Sequence, residues 1–415
     1  MKYLLGFLIL SVATGGLFYF WPKERLVEII DPSASSTITS SDGINGIKNP
    51  DEDDVPQKPL ANPPSVIKAV YFTGWSAGLE DRVNYLTGLI KTTELNAAVI
   101  DIKDYSGFVL YDIKLAEVEK YKAKDIRISK INSLVKKLHD EEVYVIARIS
   151  VFQDPILAKA RPDLAIHSKK TAGGLWLDNK KLAWIDPAAK DAWDYNIAIA
   201  RDAVSRGFDE INFDYIRFAS DGNLSDMVFP FYNSQMLKQG VIKDFFKYLR
   251  NELPGIKISA DLFGLTTVRD DDMGIGQVIE DAYSYFDYVC PMVYPSHYQK
   301  TFLGYENPAL YPYEVVKYSM EEALKRLKVY GLSPKNATST ATSTDEILIP
   351  YSLNLKAKLR PWLQDFDLGA DYNATMVGKE IQAVYDAASS TPELVNGWML
   401  WNASNIYTKD ALNKE

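Results

Sequence analysis

Residues 210–218 read EINFDYIRF and residues 256–264 read IKISADLFG. Each is a short run of β-branched and aromatic residues with a carboxylate near its end. A run this short and this apolar suits a buried strand better than an amphipathic helix. Working outward, the same texture recurs at AVYFTGWSA (69–77), NAAVIDIKD (96–104), VYVIARISV (143–151), YVCPMVY (288–294), LRPWLQDF (359–366) and NGWMLWNA (396–403). Helical patterns separate these runs at 81–94, 129–142, 188–206, 233–251, 276–286, 313–330 and 376–389. Pro187 and Pro312 fall where first-turn prolines are tolerated, and Gly207 and Gly331 where helices stop. Strands alternating with helices imply parallel βαβ units. Eight such strands point to an α/β protein built as a closed (β/α)8 TIM barrel.

The barrel is expected over 65–410, as one domain. Ahead of it, Tyr3 to Trp21 (YLLGFLILSVATGGLFYFW) carries no formal charge and approaches the roughly 20 apolar residues that span a bilayer. Its aromatic end suits a membrane interface. Residues 1–30 are therefore expected to be an uncleaved signal anchor holding the barrel outside the cytoplasm, the alternative being a signal cleaved on secretion. Residues 31–64, rich in Ser, Asp, Pro and Asn, read as a disordered linker, and Asp51 to Asp54 as a solvated acidic cluster within it. Two long interruptions remain. Segment 152–187 follows the third strand and belongs to the C-terminal face, where barrel active sites are built. Segment 332–357 precedes the seventh strand and reads as a floppy insertion on the opposite face.

Composition narrows the chemistry. With 46 basic against 55 acidic side chains, general affinity for nucleic acid is not expected. One cysteine, Cys290, excludes a disulfide framework within the chain. Three scattered histidines, His139, His167 and His297, do not suggest a zinc centre, and no cofactor or metal is called for. What stands out is 26 Tyr and 8 Trp beside many carboxylates, a mixture suited to handling carbohydrate.

Strand parity selects the candidates. Asp214 shares a face with Asn212, while Ile211, Phe213 and Tyr215 take the other, so Asp214 points into the barrel mouth. Asp261 shares a face with Ser259 in the same way. Neighbouring strands lie about 4.8 Å apart, compatible with the ~5–5.5 Å between the two carboxyl groups of a retaining glycosidase. Such chemistry needs one ionised carboxylate as nucleophile and one carboxylic acid of raised pKa. Asp214 and Asp261 are the catalytic candidates; strand-end aspartates that cap helices are the bland alternative. Asp101 and Lys103 share one parity on the second strand, Asp104 follows, and Arg148 lies on the third. This charged group would bind sugar hydroxyls or orient a catalytic carboxylate, or else close the barrel as a self-satisfied ion-pair network. Tyr215 and Arg217 beyond Asp214, with Tyr294, His297, Gln364, Trp401 and Asn402 on the later strands, are the remaining substrate-binding candidates. Aromatic faces stack on pyranose rings and amides read hydroxyls. Trp362 and Trp398 read as barrel-core packing. Asp270 to Asp272 read as a solvated loop rather than a calcium site.

The motifs YFTGWSAG, AVIDIKDYSG, ARISVFQDP, GFDEINFDYIRF, ISADLFG, YVCPMVYPSHY, RPWLQDF and GWMLWNAS, in this order, resemble a bacterial family of extracytoplasmic TIM-barrel glycosyl hydrolases. That family is loosely similar to α-amylase-like barrels. The resemblance covers nearly all of 66–407 and implies breakdown of a glycoside or polysaccharide. It also implies a nucleophile at the strand-four aspartate, a position that Asp214 matches. Amylase-like barrels place a glutamate acid on strand five, where this chain has Asp261. They carry an arginine two residues before the nucleophile, where this chain has Asn212.

The reading that results is a membrane-tethered, cell-envelope glycoside hydrolase using two carboxylates with retention. Within enzymes, the alternative is a hydrolase of deacetylated or amino-sugar exopolysaccharide. Outside them, it is a noncatalytic glycan-binding barrel.

Overall fold

A computed structural model describes residues 52–332 and 356–414. The expected anchor at 1–30, the first part of the linker and nearly all of 332–357 lie outside the described residues. Among those described, no helix is long and apolar enough to cross a membrane.

Eight parallel strands form the barrel: β1 (Ile67–Phe72), β2 (Ala97–Lys103), β3 (Tyr144–Ser150), β4 (Glu210–Asp214), β5 (Ile258–Phe263), β6 (Tyr288–Met292), β7 (Trp362–Gln364) and β8 (Gly397–Trp401). Each pairs with the next, and β8 returns to β1 with Ile67 level with Gly397, so the sheet has no free edge along this circuit. Helices α1 (Glu80–Ile90), α2 (Ile131–His139), α3 (Lys190–Ser205), α4 (Lys238–Glu252), α5 (Ile279–Tyr283), α6 (Pro312–Gly331) and α7 (Ala374–Ala387) occupy the intervals expected of them. Strands packed against helices outside and against each other inside are buried on both faces, which is why they read as apolar runs rather than alternations. β2 and β3 are buried at every position.

The interior is layered. Ile67, Ala69, Ala97, Val99, Ile146 and Met399 form its apolar floor. At the N-terminal end, the Arg360 guanidinium grips Glu210 through two 3.0 Å bonds and lies 3.8 Å from the Tyr288 ring centre. Both charges are fully buried. This pair belongs to the end of a barrel that carries stability.

Residues 52–64 depart from the expected disordered linker. Asp53 accepts hydrogen bonds from the backbone N–H groups of Asn132 (3.1 Å) and Ser133 (2.9 Å). These are free donors at the start of α2, whose own N-cap residue, Lys130, offers no side-chain cap. Gln57 N then donates to Arg206 O (3.2 Å) and Leu60 N to the Asp209 carboxylate (2.7 Å), while Leu60 packs on the interior cluster. The segment is a strap along the barrel. Its polar composition reflects the partners it satisfies, which lie far away in sequence.

The insertion after β3 is ordered. His167–Ser168 pairs antiparallel with Met227–Val228 from the loop after β4, over the buried Trp176 and Trp184. Between β2 and α2, two short strands that the sequence pattern does not announce, Val109–Tyr111 and Lys124–Ile128, extend the sheet beside β2.

Candidate active site

Register carries four polar side chains to one level of the barrel. Asp101 on β2 lies opposite Arg148 on β3, Arg148 opposite Asn212 on β4, and Asn212 opposite Ser259 on β5. Two residues further up, Asp214 ends β4 one position past its last rung with β5, Phe213 with Ala260, at the level of Asp261. Arg148 reaches three carboxylates at once. Its Nη1 is 2.5 Å from Asp101 Oδ1, its Nη2 bonds Asp214 Oδ2, and its Nε is 3.4 Å from Asp261 Oδ2. All four side chains are buried, Asp261 to 1% exposure and Asp214 to 7%.

One guanidinium neutralises one carboxylate, so three in a buried cluster cannot all stay ionised at ordinary pKa values. Burial first, and then the neighbouring Asp214 charge, push the Asp261 carboxyl up to about 7, against the opposing pull of Arg148. Burial pushes Asp101 up to about 6, with Arg148 and the Tyr71 hydroxyl opposing it. For Arg148, burial works against the charge, but the surrounding carboxylates outweigh it and raise its pKa.

Each carboxylate is held by donors of its own. Asp261 Oδ1 accepts from Asn212 Nδ2 (2.8 Å) and Trp362 Nε1 (2.7 Å). Asp101 Oδ2 accepts from the Tyr71 hydroxyl (2.5 Å). Asp214 Oδ1 accepts from the backbone N–H of Tyr215 (2.5 Å), a residue held at φ 54° in the left-handed region. A tyrosine there is strained, and the strain buys a sharp turn of the chain immediately above Asp214.

Two aromatic walls flank the cluster. On the β8–β1 side, Trp401 stacks on Tyr71 (centroids 5.9 Å, 22° between planes), with Tyr294 at 6.0 Å and Phe366 edge-on at 5.1 Å. The Tyr294 hydroxyl bonds nothing among the described residues. His297, exposed, sits edge-on to Tyr294 at 5.2 Å. On the β4–β5 side, Arg217 lies 4.8 Å from the Trp184 ring centre, 4.6 Å from Phe263 and 5.7 Å from Tyr215.

Other expected site residues are placed elsewhere. A register shift between Asp101 and Lys103 breaks their shared parity, and Lys103 is turned away from the cluster. It is fully buried, ion-paired to Asp154 at 2.8 Å and bonded to Ser150 O at 2.5 Å. Asp104 accepts from Ser106 N (2.9 Å) and Oγ (2.5 Å), closing the turn after β2. Gln364 links loops, accepting from Ser296 N (3.2 Å) and donating to Phe366 O (2.9 Å). Asn402 shapes the turn after β8 through bonds to Asp365 O, Ile406 O and Ser404. In the loop after β5, Asp271 pairs with Arg269. Among the described residues, no group of three or more His, Cys, Asp or Glu is arranged to hold a metal ion.

Sequence reasoning missed Tyr71, Phe366, Phe263 and Trp184. It also gave Trp362 to the core alone, although its indole N–H holds Asp261. Tyr71 sits in AVYF, where both strand faces are apolar, so parity gives no signal for it.

The family described as "putative glycosyl hydrolase domain" matches residues 69–407. The chain belongs to that family. Among solved structures, this glycosyl hydrolase family member is similar in fold to the glycoside hydrolase domain of PgaB (BpsB) from Bordetella bronchiseptica. The TM-score is 0.54 at 12% identity, covering 84% of this chain and 99% of that one. A hypothetical protein from Ruminiclostridium thermocellum ATCC 27405 is 40% identical, with 46% of this chain and 96% of that one covered at a TM-score of 0.43. Among curated proteins, none matches.

Proposed function

We propose that this chain is a retaining glycoside hydrolase acting on a cell-envelope or extracellular polysaccharide. The observation that carries the reading is the contact of Arg148 with Asp101, Asp214 and Asp261 in the mouth of the barrel. Asp214, the most exposed of the three carboxylates, attacks the anomeric carbon as the glycosidic C–O bond breaks. Asp261, whose raised pKa lets it carry a proton near neutrality, gives that proton to the leaving oxygen. Water then attacks the same carbon, returns a proton to Asp261 and frees Asp214. Arg148 and Asp101 set the charge and position of both groups, and the Tyr71, Tyr294 and Trp401 wall stacks on the sugar.

The charge-free run Tyr3 to Trp21, with its aromatic end, supports tethering of the barrel to a membrane on the extracytoplasmic side.

The test is turnover of a glycan panel by the full chain and by Asp214→Asn. Product from the wild type alone, released with retained anomeric configuration, is the expected result. Inverted product removes Asp214 as covalent nucleophile. Binding without product by either protein leaves a glycan-binding barrel in place of an enzyme.

A further inference from the structure

Three arginines of the described chain are buried: Arg148, Arg217 and Arg360. Arg148 contacts three carboxylates and Arg360 holds Glu210 in a bidentate pair. The buried Lys103 has Asp154. Arg217 is 8% exposed and, alone among these four cations, forms no ion pair within the described residues. Its Nη1 donates to Phe218 O (3.0 Å) and Ser220 Oγ (3.1 Å); its Nε and Nη2 bond nothing there. The rings of Trp184, Phe263 and Tyr215 surround the guanidinium and attract its charge through their faces, but they leave those N–H donors unused. A buried cation that no carboxylate contacts directly is costly. Burial draws the Arg217 pKa below the usual arginine value, against the opposing pull of Tyr215, Asp214, Asp221 and Asp178, none of which closes on it as an ion pair.

The position of this cation matters as much as its lack of an ion pair. Arg217 follows Asp214 by three residues, and its ring neighbours Tyr215 and Phe263 stand at the upper ends of β4 and β5. It therefore flanks the mouth on the side opposite the Trp401 wall. An Nε–Nη2 edge offers two parallel N–H groups, the geometry that a carboxylate accepts in bidentate fashion. An acidic sugar entering this mouth would meet the excess negative charge of Asp101, Asp214 and Asp261, whose shared arginine is already engaged. A second cation, beside Asp214 but not ion-paired to the cluster, is what such a substrate requires.

We propose that Arg217 binds a carboxylate carried by the sugar unit next to Asp214, so that the substrate is an acidic polysaccharide. This deepens the hydrolase reading and rests on it. Two sources supply the chemistry: the C6 carboxylate of a hexuronic acid, and the lactyl ether carboxylate of a muramic acid.

The experiment uses the full chain carrying Asp214→Asn to prevent turnover, with calorimetric titration of two probe pairs. One pair is a hexuronic-acid oligosaccharide and its carboxyl-reduced form. The other is a muramic-acid-containing oligosaccharide and its lactyl amide. The acidic member of one pair should bind about tenfold or more tightly than its neutral partner, the range of a charge-assisted hydrogen-bonded pair; which pair responds identifies the source. Adding Arg217→Met should erase the preference while leaving the neutral member's affinity little changed, and Arg217→Lys should retain part of it. Near-ultraviolet circular dichroism of each variant checks that the aromatic packing survives. The proposal is overturned if acidic and neutral members bind alike, if no acidic probe binds, or if the preference survives Arg217→Met. Wild-type cleavage of a neutral probe without any acidic preference would sink this proposal and spare the hydrolase reading. Acidic preference in binding with no product from the wild type would do the reverse.

Discussion

Asp101 on β2 and Arg148 on β3 occupy the same rung of the barrel, and Arg148 Nη1 stands 2.5 Å from Asp101 Oδ1. The guanidinium that makes this contact also serves the next two strands, so the internal charge of the mouth converges on one side chain. Arg148→Met should therefore cost more than a surface ion pair. Removing one partner of a buried charge cluster destabilises by about 3–5 kcal/mol. Without the cation, which holds Asp101 and Asp261 down, the pKa values of those two rise further in the folded state, and the folded protein binds more protons than the unfolded chain. Stability then falls as pH rises, so the deficit should be larger at pH 7.5 than at pH 5. Urea unfolding at both pH values measures it; an equal deficit at both would exclude charge as the cause.

Asp261 sets an expected alkaline limb. An acid that must carry a proton loses activity as pH rises through its own pKa, here about 7. The kcat/KM profile of the wild type should fall through that value, and Asp261→Asn should lose ~10²–10⁴-fold, the usual contribution of a general acid. Stability gives a second readout. Because the folded pKa lies above the ordinary 3.8, the contribution of Asp261 is fully present below about 3.8 and is lost as pH rises towards 7. The wild type should lose stability relative to Asp261→Asn across that window, and a flat difference would contradict the raised pKa.

The Glu210–Arg360 pair at the other end of the barrel should behave as scaffold. Arg360→Met alone leaves Glu210 buried and unpaired, at a cost of about 3–5 kcal/mol. Adding Glu210→Gln removes the orphaned charge and should recover a large part of that loss. The kcat/KM of the surviving folded fraction should not change in either variant. A double variant no more stable than the single one would contradict this account.

Asp53 caps a helix from outside it. Asp53→Ala should cost about 1 kcal/mol, the usual value of an N-cap carboxylate or hydroxyl. Amide hydrogen exchange at Asn132 and Ser133 should quicken while the barrel strands stay protected. Unchanged exchange at those two amides would show that the contact contributes nothing in solution.

The barrel was legible because strands buried on both faces and helices buried on one leave different textures, and because Asp214 and Asp261 interrupt apolar runs with a clear parity. Lys103 was misplaced by the same parity rule, since a single register shift beyond Asp101 reverses the face of every later residue. Arg148 was visible as a charge inside a strand, but its three partners come from three other strands and no local pattern joins them. Asp53 lies 79 positions from Asn132, so a composition window reads only a polar segment. Val109–Tyr111 and Lys124–Ile128 are too short to show a period; the first pairs with β2 at Lys103, above the last rung β2 shares with β1, and the second pairs with the first.

Pairing between β1 and β8 also imposes an order in time. The barrel cannot shut until Gly397–Trp401 has left the ribosome, whereas Asp101, Arg148, Asp214 and Asp261 have all emerged well before. Water must solvate those four charges throughout the interval. Their dehydration is therefore deferred to the last docking event of folding, when β7 brings Trp362 to Asp261 and β8 brings Trp401 to Tyr71. Contacts so distant in sequence favour slow closure, and until β8 docks the facing edges of β1 and β7 have no partner. Crowded synthesis should punish this chain more at its final strand than at any earlier one.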